Sequence, residues 1–398
     1  MEGLDVNLLM ADPEELEKVG YKKLSEGKIK EAVKLLLRAA KGYEDRGYVI
    51  KAATIYKDLG LILKERLGLE ERARPLMLKA AYLYLRLIEE EIDRPEVNLE
   101  RLGDFCLNVI EAFTFLKEEE SLKKYTFEFA QMYEDLGASY VEAGDFDSAI
   151  AAYESAYRYY ELINDQDHMK EVASKLVDIY GRIAEDALSE GNHEAAAEAF
   201  QKVANYIKSI FGYDERFREL VETAGQHYEK ASKLAYAEGD LDGMTTLLLK
   251  AQYAYLLAGN LNRANLIGIN LIKMLNQIIG DYRSQGKFEL VGEKLMQLAE
   301  ALVALGKLED GLRIYRQALE ESGGRVDFRA RIRMSIIRYF AAKNYDLRLL
   351  KALDAIDFLV RHAKFIEAIE TAEKVIKSKE EGDKILQAIY EAEGISAE

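Results

Sequence analysis

The chain has 398 residues, 49% of them hydrophobic and 32% charged, with a net charge of −16. This is enough apolar material for a large core, and the acidity repels phosphates from most of the surface, which argues against general nucleic-acid binding. The single cysteine, Cys106, excludes an intramolecular disulfide and fits a reducing compartment.

The N-terminal stretch starts acidic and lacks the basic region of a secretion signal, and no apolar run approaches the ~18–20 residues that span a bilayer. A cytoplasmic location is therefore expected, with no transmembrane segment. Abundant Glu, Lys and Arg with little Asn, Gln and Cys also suggest a thermophilic source. Leu4, Val6, Leu8, Leu9 and Met10 form an apolar start, read as a cap over the first helix pair, which a solenoid end needs, with a docking arm as the alternative.

The first helix opens at Asp12-Pro13-Glu14-Glu15: Asp caps free N–H groups, Pro is pre-set for the first helical position, and Glu15 completes a capping-box spacing. Short breaks follow near Gly27, Gly47, Gly68, Pro95, Glu119, Gly144, Asn164, Gly191, Gly212, Gly239, Gly259, Gly286, Gly306, Gly323, Asn344 and Ala363, which predicts some seventeen helices and no strand-like alternation.

Gly144, Gly191, Gly239 and Gly286 recur at intervals of 47, 48 and 47 residues. A fixed period of this size marks stacked repeats, each burying its apolar face against its neighbours. Breaks about 20 and 27 residues apart alternate within the period, so each repeat is two antiparallel helices. The turns share one phrase, seen in Gly144-Asp-Phe-Asp-Ser-Ala149, Gly191-Asn-His-Glu-Ala-Ala196 and Gly259-Asn-Leu-Asn-Arg-Ala264. Glycine ends one helix in a left-handed conformation, Asp or Asn caps the next, and the small residue lets the two approach. After Gly306 the marks Asn344 and Gly382 fall 38 residues apart, which predicts a continuing stack of shorter helices.

With only three prolines and no Pro/Ser-rich linker, the expected organisation is a single continuous α-solenoid over 1–398. It divides into N-terminal helix pairs (12–130), regular repeats of about 47 residues (131–322) and shorter, locally basic helices (323–398).

Gly137, Tyr140, Gly144, Ala149, Tyr153 and Ala156 match the small/large alternation of the tetratricopeptide repeat, and Gly20, Gly27, Ala32, Leu36 and Ala39 match nearly as well. The chain resembles that superfamily over roughly residues 13–376, with repeats longer than its ordinary 34-residue unit. Arg38-Ala-Ala-Lys-Gly-Tyr43, Lys51-Ala-Ala-Thr-Ile-Tyr56 and Ala151-Ala-Tyr-Glu-Ser-Ala-Tyr157 resemble its long-helix branch of soluble attachment proteins (SNAPs), which couple membrane-fusion complexes to an ATPase. That branch carries a penultimate leucine, whereas this chain ends Gly394-Ile-Ser-Ala-Glu398.

The resemblance implies an all-α, right-handed superhelical solenoid of antiparallel helix pairs. It also implies a non-enzymatic scaffold or adaptor that holds an extended peptide or partner helix on its concave face. The alternatives are an adaptor to an ATPase or membrane-associated complex, or a ligand-responsive sensor. The tetratricopeptide clamp for C-terminal carboxylates needs Lys and Asn where this chain has Glu17 and Tyr21, Glu134 and Ala138, and Glu229 and Lys233, so that clamp is not expected.

Catalytic and metal readings are weak. Phosphate-loop, Gly-x-Ser-x-Gly and His-Glu-x-x-His motifs are missing, so no cofactor, metal or catalytic residue is expected. Asp145/Asp147 and Asp240/Asp242 resemble metal pairs, but Asn260/Asn262 and Lys287/Glu289 stand at the same turn elsewhere; helix capping is the simpler account of all four aspartates. His193 fills an apolar repeat slot and reads as a packing residue.

Residues 312–351 break the pattern, with ten cations against four anions, net +6, leaving −22 elsewhere. Arg325, Arg329 and Arg333 are spaced i, i+4 for one helical face. With Arg331, Arg338 and Lys343 they are the candidate partner-binding residues, either gripping an acidic peptide through guanidinium forks or pairing with acidic helices beside them.

Overall fold

The computed structural model describes residues 12–395, so the apolar start at Leu4–Met10 lies outside the described residues. Residues up to 172 and from 173 onward form two compact units, and the division falls inside one helix. The first unit contains α1 (Pro13–Ser25), α2 (Ile29–Asp45), α3 (Val49–Leu67), α4 (Glu70–Ile92), α5 (Leu99–Leu116), α6 (Glu119–Ala143), α7 (Phe146–Leu162) and the start of α8 (Gln166–Ser189). The second contains the rest of α8, then α9 (His193–Phe211), α10 (Glu215–Glu238), α11 (Leu241–Leu257), α12 (Leu261–Ser284), α13 (Phe288–Ala304) and α14 (Leu308–Ser322), followed by α15 (Val326–Asn344), α16 (Leu347–Arg361), α17 (Phe365–Lys377) and α18 (Gly382–Glu393).

The described residues contain no strand, and consecutive helices pack as tetratricopeptide-like pairs. No helix among them is long and apolar enough to cross a membrane. The described residues form eighteen helices, not some seventeen. The extra break falls before Gly382, where a Cβ would lie 2.1 Å from the Ile376 carbonyl oxygen. Glycine is needed there for close approach rather than for a positive φ.

The turn chemistry follows the repeated phrase. Gly144 has φ +76°, and the Asp145 carboxylate accepts from the Ser148 N–H at 3.1 Å. Asn192, Asp240 and Asn260 cap their helices in the same way. The small residues five places on, Ala32, Ala149, Ala196 and Ala264, are fully buried. Inside the helix pair, Gly137 lets α6 approach α7: a Cβ there would sit 2.8 Å from the Tyr153 ring.

One contact recurs that the repeat phrase does not announce. The Tyr43 hydroxyl donates to Glu17 at 2.5 Å, Tyr160 to Glu134 at 2.9 Å and Tyr255 to Glu229 at 3.4 Å, each across 26 residues. The clamp-position glutamates are thus taken by tyrosines of the following helix. Glu229 is also held by the Arg263 fork, at 2.5 and 3.1 Å. Burial raises its pKa, but Arg263 and Lys233 outweigh this and hold it below the usual value.

The second unit departs from a uniform stack. Its odd-numbered helices form one layer: α11 touches α13, α13 touches α15, α15 touches α17, and α11 also reaches α15 past α13. From Val291 to Ala304, every α13 residue except Glu293 is buried. On the even-numbered side α14 packs against α18, because α16 has left that layer. Asp354 of α16 accepts from Lys208 of α9 at 2.9 Å and from the Tyr213 hydroxyl. Of the C-terminal helices, α16, α17 and α18 are short, at 15, 13 and 12 residues, whereas α15 keeps 19, and they do not continue the stack in order.

Gly137→Ala should destabilise the fold by about 1–3 kcal/mol, because the buried Tyr153 ring cannot yield; Gly144→Ala, which meets open space, should cost about 1 kcal/mol from backbone strain alone. Urea denaturation of both variants checks the order. Since the Glu229 pKa is depressed, its pairing stabilises the fold above the unfolded carboxylate value of roughly 4.3 and is lost as pH falls through the folded value. Arg263→Met should flatten that acid-side slope in urea titrations between about pH 5 and 3.

Candidate functional site

The six basic residues singled out by the sequence do not share one exposed face. Arg325 is the N-cap residue of α15 rather than part of it, so the expected i, i+4 stripe from Arg325 through Arg333 does not form. Its guanidinium holds Asp327 at 2.7 Å and Glu293 at 3.6 Å. Arg331 binds Glu300 through Nε and Nη2, at 3.1 and 2.7 Å, and Glu293 through Nη1 at 2.8 Å.

Arg333 is 1% exposed. It donates to Glu373 of α17 at 2.7 and 2.9 Å and to Glu393 of α18 at 2.6 Å. Glu393 in turn accepts from the Tyr315 hydroxyl at 2.9 Å. The Arg338 guanidinium lies 3.8 Å over the Tyr253 ring and forms no ion pair among the described residues. Arg329 is half-buried, its carbonyl accepting from Arg333 at 2.9 Å. Lys343 is exposed in the last turn of α15. Much of the segment's positive charge is therefore spent inside the unit, on carboxylates of α13, α17 and α18.

What Arg331 borders is a cavity of about 400 Å³ between α11, α13 and α15. Its apolar walls come from Leu249, Tyr253 and Leu290. Its floor is a buried polar network centred on Lys294. The Lys294 ammonium holds Asp242 at 2.7 Å and donates to Thr245 Oγ1 at 2.9 Å and to Gln297 Oε1 at 3.3 Å. The Gln297 amide then donates to Thr246 Oγ1 at 3.3 Å, and the Tyr282 hydroxyl donates to Asp242 at 3.1 Å. Burial raises the Asp242 pKa, yet Lys294 and Tyr282 together hold it below the ordinary carboxylate value. Such a network is stable because each buried donor meets an acceptor.

This corrects the reading of the Asp-x-Asp pairs as caps throughout. Asp145 and Asp240 are caps, whereas Asp242 ion-pairs with the buried Lys294. A signal for the site lay in α13 itself. Lys294, Gln297 and Glu300, spaced by three, are with Glu293 the polar residues in a run that is otherwise apolar from Val291 to Ala304; on a helix covered on nearly all sides they must meet polar partners. His193, the expected packing residue, is half-buried, with its Nδ1 3.2 Å from Nδ1 of His227. Among the described residues no group of three or more His, Cys, Asp or Glu side chains could hold a metal ion. Burial pushes the Cys106 thiol up to about 12, so at neutral pH it is a packing group rather than a nucleophile.

Arg333→Met leaves two carboxylates facing an apolar side chain and should cost about 3–5 kcal/mol. Arg338→Ala loses a cation–π contact worth about 0.5–2 kcal/mol. Equilibrium unfolding in urea should rank the two in that order.

No known family's sequence profile matches the chain, and no curated protein matches it in sequence. Among solved structures it is similar to a circular tandem repeat protein of novel repeat topology (17% identity, 95% of this chain and 90% of that one, TM-score 0.23). It is also similar to the TPR domain of P58(IPK) (15% identity, 93% and 99%, TM-score 0.19) and to yeast Tom70 (14% identity, 96% and 95%, TM-score 0.21). At such low scores these likenesses carry no argument; the tetratricopeptide-like description rests on the chain's own helix pairs and turns.

Proposed function

We propose that the chain is a protein-interaction scaffold whose second unit receives an extended segment of a partner at the cavity between α11, α13 and α15. The observation that carries this reading is the cavity's construction: a rigid, hydrogen-bonded polar floor beneath apolar walls, as binding pockets are typically built. Leu290 on its wall and Phe288, two residues earlier on the same helix, are both exposed.

A whole partner helix, ~10–12 Å across with its side chains, suits this face less well, because α15 already lies against both α11 and α13. A short extended segment presenting one or two side chains fits the volume. A broad grip on an anionic partner by residues 312–351 is the weaker reading, since Arg331 and Arg333 are neutralised internally.

Partner capture from the native lysate, compared across variants, tests the proposal. Leu290→Asp should abolish retention of the captured partner. Leu266→Asp, at an equally exposed site on α12, should leave it intact. Retention by both variants, or loss from both, would remove the cavity as the interface.

A further inference from the structure

The cavity's charges are layered by depth, and the layering sets the sign of what it can bind. Lys294 is 5% exposed, but the Asp242 carboxylate above it is 57% exposed. Arg331 is 23% exposed beneath Glu293, which is 36% exposed. In each of these two ion pairs the cation lies deeper than the carboxylate, although Glu300, the other partner of Arg331, is deeper still at 5% and Arg325, beside Glu293, is 50% exposed. Lys250 of α11, which also lines the cavity, is directed away to α9, where it pairs with Glu194 and Glu198 and is again the less exposed partner, at 38% against 49% and 56%.

The outward carboxylates also have capacity to spare. An ionised carboxylate offers about four acceptor positions, and Glu293 accepts one hydrogen bond, from Arg331 at 2.8 Å, with Arg325 3.6 Å away. A second carboxylate, Glu300, occupies the other edge of Arg331, so Glu293 can turn to a new donor without stranding a buried charge. The same cavity is lined by Leu249, Leu290 and Tyr253, which suit an aliphatic stem.

We infer that this cavity takes a basic side chain, Lys or Arg, of the partner segment. The methylene stem would lie along the apolar wall and the cationic head against Asp242 and Glu293. The inference rests on the scaffold reading above and names the chemistry of its ligand. It reverses the sign suggested by residues 312–351, of which Arg331 serves here as the counter-charge that holds Glu293 in place. The chain's net charge of −16 would draw such a partner in from a distance.

Fluorescence anisotropy on the full chain, with labelled octalysine and octaglutamate peptides as probes, tests it. Octalysine should bind and octaglutamate should not. The double variant Asp242→Asn/Glu293→Gln should weaken octalysine binding at least tenfold. Glu65→Gln/Glu71→Gln, an equal charge change at exposed sites of the first unit, should change it less than twofold. Because Asp242→Asn removes the counter-charge of Lys294, the single variant Glu293→Gln, in which Arg331 keeps Glu300, provides a second measure and should weaken binding threefold or more.

Equal loss in both double variants would assign the binding to bulk charge and overturn the inference, as would tighter binding of octaglutamate. If octalysine fails to bind while partner capture still depends on Leu290, the basic anchor is wrong and the scaffold reading stands. If neither is seen, both fall.

Discussion

The second unit depends on covering α13. A helix that is apolar nearly all round has no face to give to water, so neighbours must close over it from every direction. Alternating layers of helix pairs would leave its inner side open. Here α11 and α15 meet past α13 and shut that side, and bringing α15 inward has further effects: α16 follows it toward α9, and α18 takes the vacated place beside α14. The polar stripe of Lys294, Gln297 and Glu300 is thereby enclosed, which obliges α11 and α15 to bring Asp242, Thr245 and Arg331 to meet it.

The regular part of the molecule was legible because its information is local. Turn glycines, caps and buried alanines each act within a few residues, and the repetition of the phrase reinforced each of them. The cavity was not legible, for it depends on partners 52 residues apart in the case of Asp242 and Lys294 and 31 to 38 apart for Arg331 and its glutamates. Periodicity says which helix face is buried, but not which helix buries it. The basic segment shows the same limit. Its composition was legible, yet two of the acidic residues that absorb it, Glu373 and Glu393, lie on helices whose placement the contracted period did not foretell.

The recurring tyrosine–glutamate bond links these two levels. It operates within the helix pair and occurs in both units, while its third instance, at Glu229, is reinforced by Arg263 from a further helix. Aromatic residues whose hydroxyls must find acceptors when buried thus fix how neighbouring helices rotate against one another. Tyr43, Tyr160 and Tyr255 are framework residues in this sense.

The Arg333 cluster imposes an order on assembly. The guanidinium sits in the middle of α15, while its two carboxylates arrive 40 and 60 residues later. During synthesis from the N-terminus, α15 can find the surfaces of α11 and α13 well before Glu393 exists. Burying Arg333 at that stage would strand a charge, so firm seating of α15 waits for α17 and α18. Contacts of such long sequence separation form slowly. The growing chain therefore keeps the inner side of α13 uncovered until its last helix arrives, and this interval, rather than the folded state, is when the second unit is most exposed to misassociation.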